Sequence, residues 1–201
     1  MKLLGVFLAK PRGLPFINCR KLVIPMPVEL GTYMNLKTVE ESSVTLSLLM
    51  QPQDANPAGL IHGGVIMKQI DNAAGVAAVR HTKRICVTAS IDRLDFHNPV
   101  QIGNLVTFQA SINNVGETSM EIGVRVETED LLTGKITHTG SAYLTFVALG
   151  DDFKPVPVPR LDLKTDNQKR RNREAIRRQK TRLAEKKSEK ICQTNAERCL
   201  S

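Results

Sequence analysis

The stretch Asp54-Ala55-Asn56-Pro57-Ala58-Gly59-Leu60-Ile61-His62-Gly63-Gly64-Val65-Ile66-Met67-Lys68-Gln69-Ile70-Asp71-Asn72-Ala73-Ala74-Gly75-Val76-Ala77-Ala78-Val79 passes from turn-forming residues into a helical repeat. Residues 51–59 have the Asp, Asn, Pro and Gly composition of a loop. Beyond them Val65, Ile66, Ile70, Ala73, Ala74, Ala77 and Ala78 recur at spacings of three and four, and Met67 and Val76 broaden the stripe. That pattern predicts a helix buried on most sides. Its small residues let other backbones approach closely, and its only acidic side chain is Asp71.

Outward from this helix the periodicity changes. Four long β-like runs follow, Ile85 to Phe96, Leu105 to Val115, Ser119 to Glu129 and Lys135 to Ala148, separated by turn signals. In the third, Met120, Ile122, Val124 and Val126 alternate with Ser119, Glu121, Gly123, Arg125 and Glu127. Such alternation predicts one face on the core and one facing water. A short apolar run, Leu46 to Met50, precedes the loop. One buried helix followed by an antiparallel meander is an α+β pattern in which the sheet wraps the helix. Helices do not alternate with strands, which excludes a doubly wound nucleotide-binding fold.

Three segments are expected along the 201 residues: a proline-punctuated, loosely structured extension over 1–33, a patterned domain over 34–159, and a basic helical tail over 160–201. Lys154-Pro155-Val156-Pro157-Val158-Pro159 marks the second boundary, because alternating prolines favour extended chain and end sheet pairing. Residues 1–163 carry fifteen basic and fifteen acidic side chains, so the whole net charge of +8 lies in 164–201. The tail has too few apolar residues for a buried stripe and reads as a solvated charged helix. Its arginines come without an aromatic stacking platform, which argues against nucleic acid. No apolar run is long enough to span a bilayer, and the apolar start Leu3 to Ala9 is cut short by Lys10, Pro11 and Arg12, against an export signal. Cys19, Cys86, Cys192 and Cys199 show no paired spacing and the four histidines are scattered, so the expectation is a cytoplasmic protein with no metal.

The motifs Asp54-Ala55-Asn56-Pro57-Ala58-Gly59, His62-Gly63-Gly64, Ile70-Asp71, Arg80-His81, Val87-Thr88-Ala89-Ser90-Ile91-Asp92, Asp95-Phe96, Pro99-Val100, Gly103, Gly116 with Thr118-Ser119-Met120-Glu121, Phe146-Val147-Ala148-Leu149 and Val156-Pro157-Val158-Pro159 occur in that order. With them, residues 34 to about 183 resemble the hotdog-fold acyl-CoA thioesterases, the group containing brain-type acyl-CoA hydrolase and its bacterial single-domain relatives. Residues 1–33 lie outside the resemblance.

The resemblance implies hydrolysis of an acyl-CoA to a carboxylic acid and coenzyme A with no cofactor. The aspartate matching Asp71 acts there as general base or nucleophile, where periodicity alone also allows a carboxylate that caps or pairs near the surface. The asparagine matching Asn56 orients water or thioester and faces the aspartate of the partner protomer, although an Asn-Pro pair is by itself a turn former. A homo-oligomer is therefore implied, at least a dimer and by analogy a trimer of dimers. Gly63 and Gly64 open the helix without side chains, where free N–H groups and the helix dipole suit a developing oxyanion. Gly64 is assigned as the donor with Gly63 second, tight packing at a helix start being the alternative. Ser90, Asp92, Gly116 and Ser119 match positions near the groove for the coenzyme, and equally suit outward strand and turn residues. Glu117 departs from relatives that carry a basic residue there, and it would repel CoA phosphates.

Two other readings compete. A non-catalytic acyl-CoA sensor on the same fold has no need of both Asn56 and Asp71. A hotdog dehydratase wants a histidine with an acidic partner, and His62, the only nearby candidate, is read as helix-start packing.

Overall fold

The computed structural model describes residues 36–194. The expected extension over 1–33, with Cys19, and Cys199 at the other end lie outside the described residues. Chain order is β1 (Lys37–Thr38), α1 (Val39–Ser42), β2 (Val44–Leu49), a 3-10 turn at Pro52–Asp54, α2 (Gly63–Thr82), β3 (Ile85–Phe96), β4 (Leu105–Val115), β5 (Ser119–Asp130), β6 (Lys135–Leu149), β7 (Leu161–Asp162) and α3 (Asp166–Thr194). The large sheet is antiparallel in the order β2-β4-β5-β6-β3, and β1 pairs in parallel with β7.

Helix α2 begins two residues before the apolar repeat and runs three beyond it. His62 is its N-cap, and Lys83, in left-handed conformation at φ 56°, ends it by donating its N–H to Val79. Ile66, Ile70, Ala73, Ala74, Ala77 and Ala78 are buried against the sheet. The facing side chains are Val106, Phe108, Ala110 and Ile112 of β4, Met120, Ile122, Val124 and Val126 of β5, and Ala142, Leu144, Phe146 and Ala148 of β6. Alanines on the helix against large side chains on the strands let the sheet curl closely around it. Each fully buried large apolar side chain contributes about 1.5–3 kcal/mol.

The other face of β5 meets water at Arg125, as its alternation predicts, but not at Glu121. Glu121 is only 4 % exposed, because α3 lies across that side of the sheet. The tail helix is therefore docked along its first half, as far as Arg182, and exposed from Leu183 to Lys190 as a solvated helix would be. Arg178 grips Glu121 through Nε at 3.2 Å and Nη2 at 2.7 Å and covers the Tyr143 ring at 3.7 Å. Arg182 pairs with Asp92, Arg171 donates to Ser111, Asn172 donates to the Asn113 carbonyl, and Ala175 is fully buried. Sequence periodicity looks for apolar stripes, and this interface is made of arginine stems and charge pairs.

Strand β3 is bulged at Ala89 and again at Asp92, where its register against β6 shifts. Thr88 pairs with Phe146 on the helix side, whereas Ser90 pairs with Thr145 on the α3 side. Without the extra residue these two positions would share a face. No helix among the described residues is long and apolar enough to cross a membrane.

Candidate active site

Asp71 lies two turns into α2, and the Thr88 hydroxyl on β3 donates to its Oδ1 at 2.7 Å. The pair borders a hollow of about 580 Å³, walled also by Gly75, Val79, Cys86 and Phe146, with Arg80 and Lys83 at one side. Asp71 is the only carboxylate on it among the described residues. Burial pushes the Cys86 thiol up, so it stays protonated near neutral pH and supplies no thiolate nucleophile. Among the described residues Asp71 is thus the carboxyl group placed on the hollow.

Asn56 is held by its own loop. Its Oδ1 accepts from the N–H of Ala58 at 2.9 Å and of Leu60 at 3.3 Å, and Gly59, at φ +76°, closes the turn by donating to the Asn56 carbonyl. The oxygen is committed to the loop, which leaves the carboxamide nitrogen as the donor for an outside partner. Asn56 does not line the Asp71 hollow of the same chain.

At the helix start the Gly64 N–H donates to His62 Nδ1 at 3.0 Å. The imidazole therefore stands where an oxyanion on Gly64 would sit, and it caps α2 in place of Ser, Thr or Asp. A Cβ added to Gly63 would meet only the edge of the Phe96 ring, at 3.7 Å, an ordinary contact distance.

The four residues matched to the coenzyme side gather at the other side of the sheet. The Ser90 hydroxyl donates to Asp92 Oδ1 at 3.2 Å, and Arg182 closes on Asp92 from α3. Gly116 and Ser119 border a space of only about 10 Å³ beside Gln179 and Arg182. This is room for about one water. The turn nevertheless adjoins the site row, since Thr88, Phe146 and Met120 are cross-strand neighbours and Ser119 is the residue before Met120. Glu117 is exposed on that turn.

Thr88 is the functional candidate that sequence reasoning missed. Val87 to Asp92 reads as an unbroken strand, so Thr88 and Ser90 look equivalent, and only the bulge at Ala89 separates them.

Residues 58–135 match the model of the thioesterase superfamily. Protein VdlD of Helicobacter pylori is 40 % identical over 147 residues, covering 73 % of this chain and 84 % of that protein. An uncharacterized acyl-CoA thioester hydrolase of Bacillus subtilis, YkhA, is 36 % identical over 148 residues, 74 % of this chain and 86 % of its own length. The cytosolic acyl coenzyme A thioester hydrolase of Rattus norvegicus is 38 % identical over 67 % of this chain, which spans 36 % of that longer protein.

Among solved structures, an acyl-CoA hydrolase from Bacillus cereus superposes with TM-score 0.75 at 36 % identity, covering 80 % of this chain and 98 % of that one. An acyl-CoA hydrolase from Staphylococcus aureus, in complex with butyryl coenzyme A, coenzyme A and coenzyme A disulfide, gives 0.74 at 32 % identity, covering 81 % and 100 %. A hexameric acyl-CoA thioesterase gives 0.74 at 36 % identity, covering 76 % and 97 %. Structures of the Staphylococcus aureus hydrolase also exist with alanine in place of one asparagine, one aspartate and one threonine. The aspartate follows the asparagine by fifteen residues and the threonine follows the aspartate by seventeen, which is the spacing of Asn56, Asp71 and Thr88. The chain belongs to the thioesterase superfamily, in its group of hotdog-fold acyl-CoA thioester hydrolases.

Proposed function

We propose that the chain hydrolyses acyl-CoA to a carboxylic acid and free coenzyme A, with each site built by two protomers. Asp71 and Thr88 come from one chain and Asn56 from the other. The observation that carries this reading is the Asp71–Thr88 pair on an open hollow from which Asn56 of the same chain is absent. Water attacks the thioester carbonyl carbon while Asp71 takes its proton. The carbon–sulfur bond then breaks, and the departing sulfur receives a proton to leave as the coenzyme thiol. Attack by the Asp71 carboxylate itself, followed by hydrolysis of the anhydride, uses the same geometry. Thr88 aims the carboxylate, and the Asn56 carboxamide nitrogen holds the water or the thioester oxygen. The oxyanion falls to Gly64 once His62 turns aside, with Gly63 beside it.

A second protomer is supported by what one chain leaves uncovered. Strand β3 is a sheet edge carrying the exposed Ile85, Val87 and Ile91, and α2 shows Met67, Val76 and Val79. An apolar edge of this length calls for pairing. We read the assembly as a homodimer at least, with a trimer of dimers suggested by the hexameric relative. The coenzyme end is assigned to the sheet end at Gly116, Ser119, Ser90 and Asp92, next to the row that carries Thr88. A cytoplasmic location is inferred from the rat relative named cytosolic. Arg178 and Arg182 are engaged with the buried Glu121 and the partly buried Asp92, which removes them from any nucleic-acid surface and disfavours a DNA-binding sensor.

The test mixes protomers. Asn56→Ala and Asp71→Ala chains are each expected to lose about 10²–10⁴-fold in thiol release from a panel of acyl-CoAs. Mixed and reassembled, they recover up to about a quarter of wild-type activity through sites holding both native residues, the share that random pairing allows. Two inactive homo-oligomers that stay inactive when mixed would refute the shared site. A wild-type chain that releases no thiol above the Asp71→Ala background from any acyl-CoA would refute the enzyme.

A further inference from the structure

The Asp71 hollow follows one face of α2. Asp71, Gly75, Val79 and Lys83 border it at steps of four residues, so it runs as a trough from the carboxylate toward the C-terminal end of the helix. The opposite wall is Phe146 of β6 with Cys86 of β3, whose thiol burial keeps protonated. From Asp71 to Val79 the helix rises about 12 Å, and beyond Asn72 and Thr88 that stretch is lined by apolar groups. The far end changes character, because Arg80 and Lys83 bring two cations to it.

Gly75 lies in the interior of this 20-residue helix, where glycine weakens the helix relative to alanine. Packing within the chain does not ask for it. A Cβ there would meet only the Phe146 ring, Cε1 at 3.6 Å and Cζ at 3.9 Å, which is ordinary contact. Elsewhere the fold does require glycine: a Cβ on Gly123 would lie 2.6 Å from Asn113 Nδ2, and one on Gly140 would lie 2.5 Å from the Asp95 carbonyl oxygen. The missing side chain at Gly75 instead leaves a gap over Phe146, on the trough and about 6 Å from Asp71 along the helix axis. A residue that weakens its helix and relieves no clash within the chain is accounted for by what it leaves room for.

We infer that the trough is the bed of the acyl chain and that Gly75 sets which acyl groups fit: an unbranched aliphatic chain of medium length, crossing Gly75 on the Phe146 ring and ending before Arg80 and Lys83. An extended chain advances about 1.2 Å per bond, so the apolar stretch holds roughly eight to ten carbons. A longer chain would press its last methylenes against two charged groups and strip their water. The inference rests on the acyl-CoA reading and adds to it a substrate class and a specificity-determining residue.

The test compares Gly75→Ala and Gly75→Val with wild type on saturated acyl-CoAs from acetyl to palmitoyl. Wild-type kcat/KM should rise from acetyl to octanoyl or decanoyl and fall at palmitoyl. Acetyl is too short to cross Gly75, so the octanoyl-to-acetyl ratio of kcat/KM should drop about tenfold in Gly75→Ala, as one methyl in a hydrophobic pocket can produce. Gly75→Val should lower it further, with the oligomer intact and the thermal midpoint no lower than that of wild type. A binding experiment needs no turnover: on Asp71→Ala chains, calorimetry should show octanoyl-CoA held more tightly than acetyl-CoA, and adding Gly75→Val should erase the difference. Equal losses at every chain length, or a lower midpoint or broken oligomer with the ratio unchanged, would give Gly75 a packing role and overturn the inference. A wild-type optimum at acetyl or at palmitoyl would also overturn it. Tighter binding of octanoyl-CoA without thiol release from any acyl-CoA would refute hydrolysis and leave the acyl bed standing.

Discussion

The hydroxyl of Thr88 lies 2.7 Å from Oδ1 of Asp71, joining the edge strand β3 to the central helix at the rim of the hollow. A hydrogen bond to a charged group contributes about 1.5–3 kcal/mol. Each 1.36 kcal/mol corresponds to roughly a tenfold change in rate. Thr88→Ala should therefore lower kcat about 10–100-fold with a smaller change in KM, while Thr88→Ser, which keeps the hydroxyl, should retain most activity. Equal kcat for the alanine and serine variants would remove Thr88 from the site.

His62 caps α2 through the Gly64 N–H, so the same side chain stabilises the helix and covers the assigned oxyanion donor. His62→Phe removes the acceptor. Losing an N-cap bond costs about 1 kcal/mol, which should appear as a lower thermal midpoint with kcat retained, since the N–H becomes free for substrate. A large fall in kcat at unchanged stability would instead give the imidazole a part in the chemistry and revive the dehydratase reading.

The helix and the four long strands were legible because their signal is local periodicity, and the α2 face from Ile66 to Ala78 and the apolar faces of β4, β5 and β6 are buried, while Met67 and Val76 at the edge of the stripe are exposed in the single chain. Asp71 was legible as a lone acid on such a helix. Thr88 was not, because a bulge at Ala89 changes which face a residue takes without changing the strand's composition. The docking of α3 was hidden for a related reason. Glu121 and Asp92 look like water-facing charges until Arg178 and Arg182, more than fifty residues later, close over them.

That closure is itself testable. Glu121 is 4 % exposed and held by two bonds from Arg178. Removing one partner of a buried pair leaves a charge without compensation and costs of order 3 kcal/mol. Arg178→Ala should therefore destabilise strongly in urea or thermal unfolding, and Arg178→Ala with Glu121→Leu should be milder than the single arginine change. A solvated tail helix would give no loss in either variant.

His81 is fully buried at the end of α2, where Nδ1 lies 2.8 Å from the Ser42 hydroxyl and Nε2 lies 3.0 Å from the Pro159 carbonyl. A carbonyl only accepts, so Nε2 carries the proton and donates to it, while the unprotonated Nδ1 accepts from Ser42. Burial lowers the His81 pKa from its ordinary 6.5, and the charge of Lys37 lowers it further, against the Pro159 bond and Glu41, which raise it. The folded chain thus prefers the neutral ring, and between the two pKa values the unfolded chain binds more protons. Stability from this group is complete above about pH 6.5 and falls as the pH drops from there toward the lower folded value. The thermal midpoint of the wild type should decline between about pH 7 and pH 5. In His81→Gln, which has no titrating ring, that part of the decline should vanish, although the midpoint at pH 8 is lower from lost packing. Parallel profiles for the two proteins would show that the ring between α2 and the chain leading into β7 is not the titrating group.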